Sequence, residues 1–464
     1  MEKQRHPNIV FFFSDQQRHD TLGAYDENAK RLNITPNLDI LAKFGTKFEY
    51  AFTPQPVCGP ARACLQTGRF ATQSGCFTNG RALKEGELTL AKYLGRVGYD
   101  TSYIGKWHLA SNNMLKKDDE NYSDYATAPI PPQLRGGYRY WRAADILEFT
   151  SHGYGGYVYD QNQNKREFEN YRCDAITDFA IEYIENKSEL ARDEEKPFFM
   201  FLSHIEPHHQ NDRERFEGPD GSLEKFGDVC LPEDLKEAHK TEPDFLAHYA
   251  NYLGCCNSLD HNLGRVVAAL KDKNIFEQTV IIYTSDHSCH FRTRNSEYKR
   301  SCHENSIRVP LLISGGQFCG GQKIDRLVSL IDLPPTILEL AGVDIPADFM
   351  GKSLVNALDG KSEWEEEIYT QISESKLARC IRTQDWKYSI ASDENPWTTA
   401  ETDTYFEDFL YDLKSDPHEQ NNLIGSTDEK TKAEKEKLAQ ILIRHMNRAG
   451  EKTPVIENIE KKRG

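Results

Sequence analysis

The chain has 464 residues, of which 38% are hydrophobic and 28% are charged, a composition that excludes a fibrous or wholly disordered protein. No apolar run reaches the length of a membrane span, so we expect no membrane partner. The formal net charge of -16 argues against a protein that coats nucleic acid, because counterion release requires clustered Lys and Arg.

An α/β fold is predicted up to about residue 345, where short apolar runs alternate with amphipathic stretches. This pattern is typical of a large, mostly parallel sheet sandwiched by helices. Strands are predicted at 8–14, 101–104, 197–203, 280–285 and 309–314. Helices are predicted at 37–43, 60–67, 89–96, 174–187, 245–271 and 333–341. The segment 116–156, rich in Tyr, Pro and Gly, is predicted to be a long loop.

A second, smaller domain is predicted after residue 350, where the sequence changes character. Antiparallel strands followed by a helix rich in Lys and Glu are indicated by the segments EEEIYTQIS, ARCIRTQDWKYSIA and DFLYDLKSDPHEQNNL. We therefore expect a large α/β domain at 1–350 and a smaller C-terminal α+β domain at 351–464. The charged stretch 451–464 is expected to fray.

The cysteines and the N-terminal residues indicate the cellular compartment in which the protein is expected. The 11 cysteines are odd in number and lack the paired spacings of a zinc site or a disulfide framework, which predicts buried thiols in a reducing environment. The first residues, MEKQRHPNIVFFFSD, do not have the pattern of a signal peptide. The chain as written is therefore expected to be cytoplasmic, and to be exported if a leader was trimmed from it.

Polar side chains follow four of the predicted strands at the points where the strands end. In open α/β sheets ligands bind outside the carboxyl ends of the strands, so these side chains are predicted to converge on one site despite their separation in sequence. They are Asp15 and Gln16, Lys106 and His108, His204 and His208, and Asp286 and His287.

The segment PVCGPARACLQTGR contains a candidate nucleophile. Pro60 suits the first turn of a helix, so Cys58 is predicted to lie at the helix N-terminus, where free backbone N–H groups favour an anion. Arg62, in the same turn, can direct its guanidinium toward residue 58 or toward substrate oxygens. Taken alone, the segment also fits a plain thiol beside a structural turn.

A family resemblance decides between these interpretations. CGPAR followed by ACLQTGR resembles the sulfatase signature of Cys, any residue, Pro, any residue and Arg, with Thr-Gly-Arg shortly after. The family's other segments are resembled, in the same order, by NIVFFFSDQQ, GKWHL, SHIEPHH, TSDHS, KRSCHENSIRVPLLIS and LYDLKSDPHEQNNL. The match runs from about residue 8 to about residue 425. The chain is identified as a member of the formylglycine-dependent sulfatases of the alkaline phosphatase superfamily.

The resemblance implies a modified nucleophile and a metal. In the family a formylglycine-generating enzyme oxidises the cysteine, here Cys58, to formylglycine, and the hydrated gem-diol attacks sulfur. A family calcium site maps onto Asp15, Gln16, Asp286 and His287, with residue 58 completing the shell. Oxygen ligands from Asp and Gln suit calcium or magnesium, whereas His287 leaves manganese as an alternative.

The resemblance also implies roles for basic residues around the sulfate. Lys106 bridges the sulfate and the nucleophile, and His108 helps the hemiacetal to collapse. The departing alcohol receives its proton from His208 or Lys299, and Arg62 supports residue 58. The alternatives are Arg300 in place of Lys299, and His204 or His209 sharing the work of His208.

The expected function is a sulfuric ester hydrolase that acts on a sulfated carbohydrate. Departures from the commoner family pattern keep a phosphonate monoester hydrolase or phosphodiesterase of the same superfamily as the alternative; they are Gln16, Ala61, His287 and Ser288. The other class of alternative is a noncatalytic carbohydrate-binding relative with Cys58 unmodified. The strings RGGYRYWRAADILEF and SHGYGGYVYDQNQN fit sugar-stacking walls and loop packing equally well.

Overall fold

The computed structural model describes residues 6–240, 244–358 and 363–458. The strands within these ranges are β1 Asn8–Ser14, β2 Thr46–Phe52, β3 Asp100–Lys106, β4 Tyr140–Ala144, β5 Tyr154–Asp160, β6 Lys165–Tyr171, β7 Phe198–Ser203, β8 Thr279–Ser285, β9 Arg308–Val309, β10 Leu311–Ser314, β11 Gln322–Ser329, β12 Glu367–Ile372, β13 Leu377–Thr383, β14 Trp386–Ser392, β15 Thr404–Asp412 and β16 Val455–Glu457.

The α-helices are α1 Glu27–Arg31, α2 Pro36–Phe44, α3 Cys58–Thr67, α4 Ala71–Ser74, α5 Leu90–Arg96, α6 Leu147–Thr150, α7 Arg172–Ile184, α8 Ser222–Phe226, α9 Phe245–Asp272, α10 Glu304–Ile307, α11 Leu333–Leu340, α12 Val355–Leu358 and α13 Glu429–Arg448. Short 3-10 helices lie at His19–Thr21, Pro132–Leu134, Asn211–Arg213, Glu233–Leu235, Ala238–Lys240, Phe276–Gln278 and Leu330–Asp332. In the part of the chain that the structure describes, every helix is too short or too polar to cross a membrane.

The large sheet aligns the four strands that were predicted to converge. Among the described residues it contains eleven strands, in the order β11-β2-β10-β8-β1-β7-β3-β4-β5-β6, with β9 paired to β2. Its centre, β8-β1-β7-β3-β4, is parallel, and its flanks include antiparallel pairs. Phe13 pairs with both Ser203 and Thr284, and Gly105 pairs with Ser203. The carboxyl ends of β8, β1, β7 and β3 therefore lie side by side at one edge.

The apolar run of β1 explains why this strand lies at the centre. Ile9, Phe11 and Phe13 pack on one face of the sheet, against side chains of α3, α5 and α11. Val10 and Phe12 pack on the other face, against α2, α7 and α9. A strand buried on both faces requires a continuous hydrophobic run, which β1 has. The predicted sheet sandwiched by helices is confirmed.

The predicted C-terminal sheet and helix are also confirmed. Within the described residues β12 to β16 form a second sheet of five strands, of which β12 to β15 are antiparallel and β16 runs parallel to β15. Helix α13 packs its apolar residues against this sheet. Because the backbone of β16 pairs with β15, the fraying prediction is wrong for Val455–Glu457; residues 459–464 lie outside the described residues. The division at residue 350 stays a prediction.

The prediction of a long loop at 116–156 is wrong in part. Tyr140–Ala144 forms β4, which pairs parallel to β3, and Tyr154 begins β5. The reason is aromatic packing, since the ring of Trp141 is fully buried and lies 5.4 Å from that of Tyr103 and 5.6 Å from that of Trp107. The aromatic residues at 138–141 are therefore core and not a sugar-stacking wall.

Candidate active site

The ends of β1 and β8 place two carboxylates side by side. The backbone N–H of Asp286 donates to the Ser14 carbonyl at 3.2 Å, which joins the two loops that follow the strands. The Oδ1 atom of Asp286 accepts from the backbone N–H of Gln16 at 3.1 Å and from that of His287 at 2.9 Å. Asp15 and Asp286 are fully buried, so both charges need partners inside the protein.

Cys58 is the first residue of α3 and lies beside these carboxylates. Its Sγ atom is 3.5 Å from Asp15 Oδ1, 3.3 Å from His287 Nε2 and 2.9 Å from Lys299 Nζ, and the side chain is buried. The helix N-terminus is capped from another segment, because Asn79 Oδ1 accepts from the N–H of Gly59 at 2.9 Å. The predicted position of Cys58 at the helix entrance is confirmed.

Two basic side chains surround the Asp15 carboxylate. Its Oδ2 atom lies 2.6 Å from Lys106 Nζ and 2.9 Å from Arg62 Nη2. Arg62 also reaches Asp286 Oδ2 at 3.4 Å and donates to the Lys106 carbonyl at 2.8 Å. The guanidinium of Arg62 therefore holds the two carboxylates and the end of β3 together.

The balance of charge favours ionised groups around Cys58. Burial raises the pKa of the Cys58 thiol, but the positive charges of Lys106 and Lys299 outweigh burial and hold that pKa well below its usual range. Burial also raises the pKa of Asp15, yet the positive charges of Lys106 and Arg62 outweigh burial and lower it overall. Cysteine in this position thus marks a place where negative charge is stabilised.

The donor set fits a divalent cation. Asp15, Cys58, Asp286 and His287 each offer a ligand atom, and these atoms all lie within 4.8 Å of one another. His287 Nδ1 is 3.0 Å from the Ser288 carbonyl, an acceptor, so Nδ1 carries the hydrogen and Nε2 presents a free lone pair to the cluster. The two carboxylates suit calcium or magnesium, whereas the imidazole keeps manganese as an alternative.

Gln16 contributes its backbone to this cluster. Its side-chain Oε1 atom accepts from the His209 N–H at 3.3 Å, and its Nε2 atom lies 3.5 Å from Cys289 Sγ. The Gln16 backbone has a left-handed φ of 71°, which turns the chain between β1 and the following residues. Ligation of a metal by its side chain stays a prediction.

Lys299 and His208 form a pair above Cys58. Lys299 Nζ lies 3.0 Å from His208 Nε2, and because an ammonium can only donate, Nε2 accepts and Nδ1 carries the hydrogen. The Nδ1 atom lies 3.4 Å from Glu148 Oε2. Burial lowers the pKa of His208, and the charge of Lys299 lowers it further, which keeps the imidazole neutral.

His108 lies in the loop after β3 and contributes to the low pKa of the Cys58 thiol. This loop is held by Asp145, whose carbonyl accepts from the His108 N–H at 2.8 Å and whose carboxylate accepts from Leu109, Ala110 and Ser111. Sequence reasoning missed Asp145, although it directly follows β4. Recognition of β4 as a strand of this sheet would have identified it.

The alternative residues lie outside this constellation. Arg300 Nη2 is 2.6 Å from Glu374 Oε2. His204 places its ring nitrogens 3.7 Å from Cys173 Sγ and 3.4 Å from Thr177 Oγ1. His209 Nδ1 lies 3.1 Å from Asn211 Oδ1. Of Lys299 and Arg300, the structure thus brings Lys299 to Cys58. Of His204, His208 and His209, it brings His208 there.

Comparison with known proteins decides the family. The sulfatase family model matches residues 7–343, which is more than half of the chain, and a second model, N-sulphoglucosamine sulphohydrolase, C-terminal, matches residues 297–448. The chain belongs to the sulfatase family. It is therefore a hydrolase.

The relatives resemble this sulfatase over most of its length. It is 30% identical to the uncharacterized sulfatase YidJ of Escherichia coli (strain K12), over 90% of this chain and 83% of that protein. It is 26% identical to an N-acetylglucosamine-6-O-sulfatase of Bacteroides thetaiotaomicron, over 95% and 86% respectively. The crystal structure of YidJ from Bacteroides fragilis superposes with a TM-score of 0.79 at 25% identity and covers 97% of both chains.

A turn of the C-terminal sheet completes the site of this sulfatase, and sequence reasoning missed it. The turn, residues 373–375, lies between β12 and β13. Ser373 Oγ accepts from Gln55 Nε2 at 2.7 Å, and the buried Glu374 accepts from the N–H of Asn79 at 2.6 Å in addition to pairing with Arg300. The turn thereby contacts Gln55 in the segment before Cys58, Asn79, which caps α3, and Arg300, the neighbour of Lys299.

We predict that Glu374→Gln lowers kcat for sulfate ester hydrolysis roughly tenfold to a hundredfold. The amide retains a partner for Asn79 but not the charge that holds Arg300, so the adjacent Lys299 is expected to shift from its position 2.9 Å from Cys58 Sγ. The measurement is kcat for a series of aryl sulfates, and displacement of a proton donor near Cys58 would give a steeper dependence on the pKa of the leaving group.

The control for this prediction is Glu451→Gln. Glu451, which lies between α13 and β16, forms a buried ion pair with Arg379 of β13 at 2.7 Å and pairs with neither Arg300 nor Asn79. This variant is expected to lower the unfolding temperature and to leave the leaving-group dependence unchanged. Equal effects of the two variants on that dependence would show that the turn acts only through stability.

Proposed function

We propose that this sulfatase removes sulfate from a sulfated carbohydrate, with residue 58 as the nucleophile and calcium as the metal. The observation that carries the proposal is the position of Cys58, buried at a helix N-terminus within reach of Lys299, His287 and Asp15. The similarity to an N-acetylglucosamine-6-O-sulfatase supports a sugar sulfate as the substrate.

The charges around residue 58 suit an anionic ester. The nonbridging oxygens of a sulfate monoester repel a nucleophile, so the site must supply positive charge where those oxygens lie. Lys106 and Lys299 provide this charge, and Arg62 holds the carboxylates in place behind the nucleophile. This pocket explains how a protein with a net charge of -16 accepts an anion.

Formylglycine and a divalent cation would supply the reactivity toward the sulfate ester. Formylglycine, formed from Cys58 by a formylglycine-generating enzyme, provides a hydrated aldehyde, and a divalent cation held by Asp15, Asp286 and His287 would acidify a hydroxyl there and offset sulfate charge. The free lone pair of His287 Nε2 and the ionised state of Asp15 are the features that favour this cation.

The protein's own residues move the protons. Lys299 carries a proton toward the leaving oxygen, since its ammonium lies between Cys58 and His208. The neutral His208 accepts a hydrogen bond from Lys299. This bond orients the remaining hydrogens of the Lys299 ammonium toward the substrate. His108, in the loop that Asp145 holds, is assigned the role of accepting a proton from residue 58 when sulfate leaves.

We predict that Cys58→Ala abolishes sulfate ester hydrolysis while the fold is retained, because the thiol is the precursor of the nucleophile. The measurements are turnover of 4-nitrophenyl sulfate and circular dichroism. The matched control is Cys64→Ala, another buried thiol of α3, which should remain active. Mass spectrometry of the wild-type peptide should show an aldehyde in place of the Cys58 thiol, and an active enzyme with an intact thiol would contradict the mechanism.

We predict that chelation removes activity and that calcium or magnesium restores it. Elemental analysis gives an independent readout, since Asp286→Asn should lose the ion while Cys173→Ser should keep it. Cys173 belongs to the other buried group of potential ligands, with His204 and Glu206, and is therefore a matched control. An active protein without a bound metal would refute the metal assignment.

The alternative, a phosphonate monoester hydrolase or phosphodiesterase, rests on the departures at Gln16 and His287. We predict that kcat/KM for 4-nitrophenyl sulfate or a sugar sulfate exceeds that for bis-4-nitrophenyl phosphate and phenyl phosphonate. All are compared on one modified, metal-loaded preparation. A phosphorus ester that is at least tenfold faster than every sulfate, about 1.4 kcal/mol in transition-state stabilisation, would favour the alternative.

A further inference from the structure

Three side chains form a partly exposed group that the proposed mechanism does not use. We call Arg81, Arg300 and Trp397 the rim cluster. The guanidinium carbon of Arg300 lies 5.7 Å from the centre of the Trp397 ring, and Arg81 Nη2 lies 3.5 Å from the Trp397 carbonyl. Trp397 belongs to the loop between β14 and β15 of the C-terminal sheet, whereas Arg81 lies between α4 and α5 and Arg300 lies between β8 and α10.

The rim cluster lies next to the nucleophile. Arg81 is two residues after Asn79, whose side chain accepts from the N–H of Gly59, the neighbour of Cys58. Arg300 directly follows Lys299, whose Nζ lies 2.9 Å from Cys58 Sγ. The loop of Trp397 contacts the same turn, because the Pro396 carbonyl accepts from the Glu374 N–H at 3.5 Å. A substrate bound at Cys58 that extends along these segments would meet the three side chains.

The two arginines of the cluster differ in charge compensation. Arg300 pairs with Glu297 at 2.8 Å and with Glu374 at 2.6 Å, so its charge is neutralised within the protein. For Arg81 the described residues offer no carboxylate at ion-pair distance, and burial lowers its pKa. In a chain of net charge -16, a half-buried guanidinium without an acidic partner is an open site for an anion.

The guanidinium of Arg81 is also held in one orientation. Its carbon lies 4.2 Å from the centre of the Phe77 ring, and its Nε atom donates to Thr78 Oγ1 at 3.2 Å. Stacking and a hydrogen bond reduce the entropy that the side chain loses when it binds, which favours recognition of a planar or tetrahedral oxyanion.

We propose that the rim cluster is a subsite for a second anionic group of the substrate, a sulfate or carboxylate, which Arg81 binds while Trp397 contacts the sugar. This inference rests on the proposed function and names the substrate class more closely as a glycan with at least two anionic groups. Arg300, already paired with two carboxylates, holds Trp397 in place.

The test uses pairs of sulfated saccharides that share the scissile sulfate. In one pair the second member carries a further sulfate on the same sugar, and in the other it carries a uronate on the adjacent sugar. The wild-type enzyme is expected to prefer the doubly anionic member at least tenfold in kcat/KM. Arg81→Gln should reduce this preference below about threefold, and Arg81→Lys, which keeps the charge but not the planar fork, should retain part of it.

Arg96→Gln is the matched control, since it removes an exposed arginine of α5 that forms no ion pair with any described residue. The preference of this variant for the doubly anionic member should equal that of the wild type.

A preference in the first pair alone identifies sulfate as the second anionic group, and a preference in the second pair alone identifies carboxylate. An equal rate for both members of each pair, or a preference that Arg81→Gln leaves intact, would overturn the subsite.

A binding measurement separates failure of the subsite from failure of the proposed function. Calorimetry on Cys58→Ala measures affinity for the same saccharides without turnover, with and without Arg81→Gln. If wild-type enzyme releases sulfate from none of them, the proposed function fails for these sugars. The subsite then stands if Arg81→Gln weakens binding of the doubly anionic saccharide about tenfold, and falls if the affinity is unchanged.

Discussion

The carboxylate of Asp15 binds two cations at the edge of the large sheet: Lys106 Nζ at 2.6 Å and Arg62 Nη2 at 2.9 Å. These fully buried groups come from the ends of β1 and β3 and from α3, so their mutual attraction ties three elements to one point. Loss of one member of such a group leaves an uncompensated buried charge, which costs about 3–5 kcal/mol. The same charges set the environment of Cys58, so stability and chemistry depend on one interaction.

The two sheets divide the work of the site. The large sheet supplies the groups that surround residue 58, because its central strands are rigid and end at the same level. The smaller sheet supplies the turn that carries Glu374 and the loop that carries Trp397, and both contact segments near Cys58. The rim cluster lies on loops while Cys58 lies on a helix, so substitutions in the rim can change while the position of Cys58 is kept.

The sequence by itself determined the centre of this protein. β1 could be predicted residue for residue, since its unbroken apolar run requires a strand buried on both faces. The position of Cys58 followed from the helix-starting geometry of Pro60, which is a local property. Asp15 and Asp286 were predicted to meet because parallel strands present their carboxyl ends at one edge of the sheet. Family membership followed from motifs that cover most of the chain.

Only the tertiary structure decided which of two adjacent basic side chains faces Cys58. Lys299 and Arg300 are adjacent and both basic, and the choice between them depends on Glu374, which lies far along the chain and pairs with Arg300. The aromatic residues around Trp141 formed a core strand because the rings of β3 and its loop pack against them, a contact that composition does not encode. The local sequence pattern indicates the backbone dihedral preferences and the burial of a segment. Charge pairing and side-chain direction depend instead on contacts between residues that are distant in sequence.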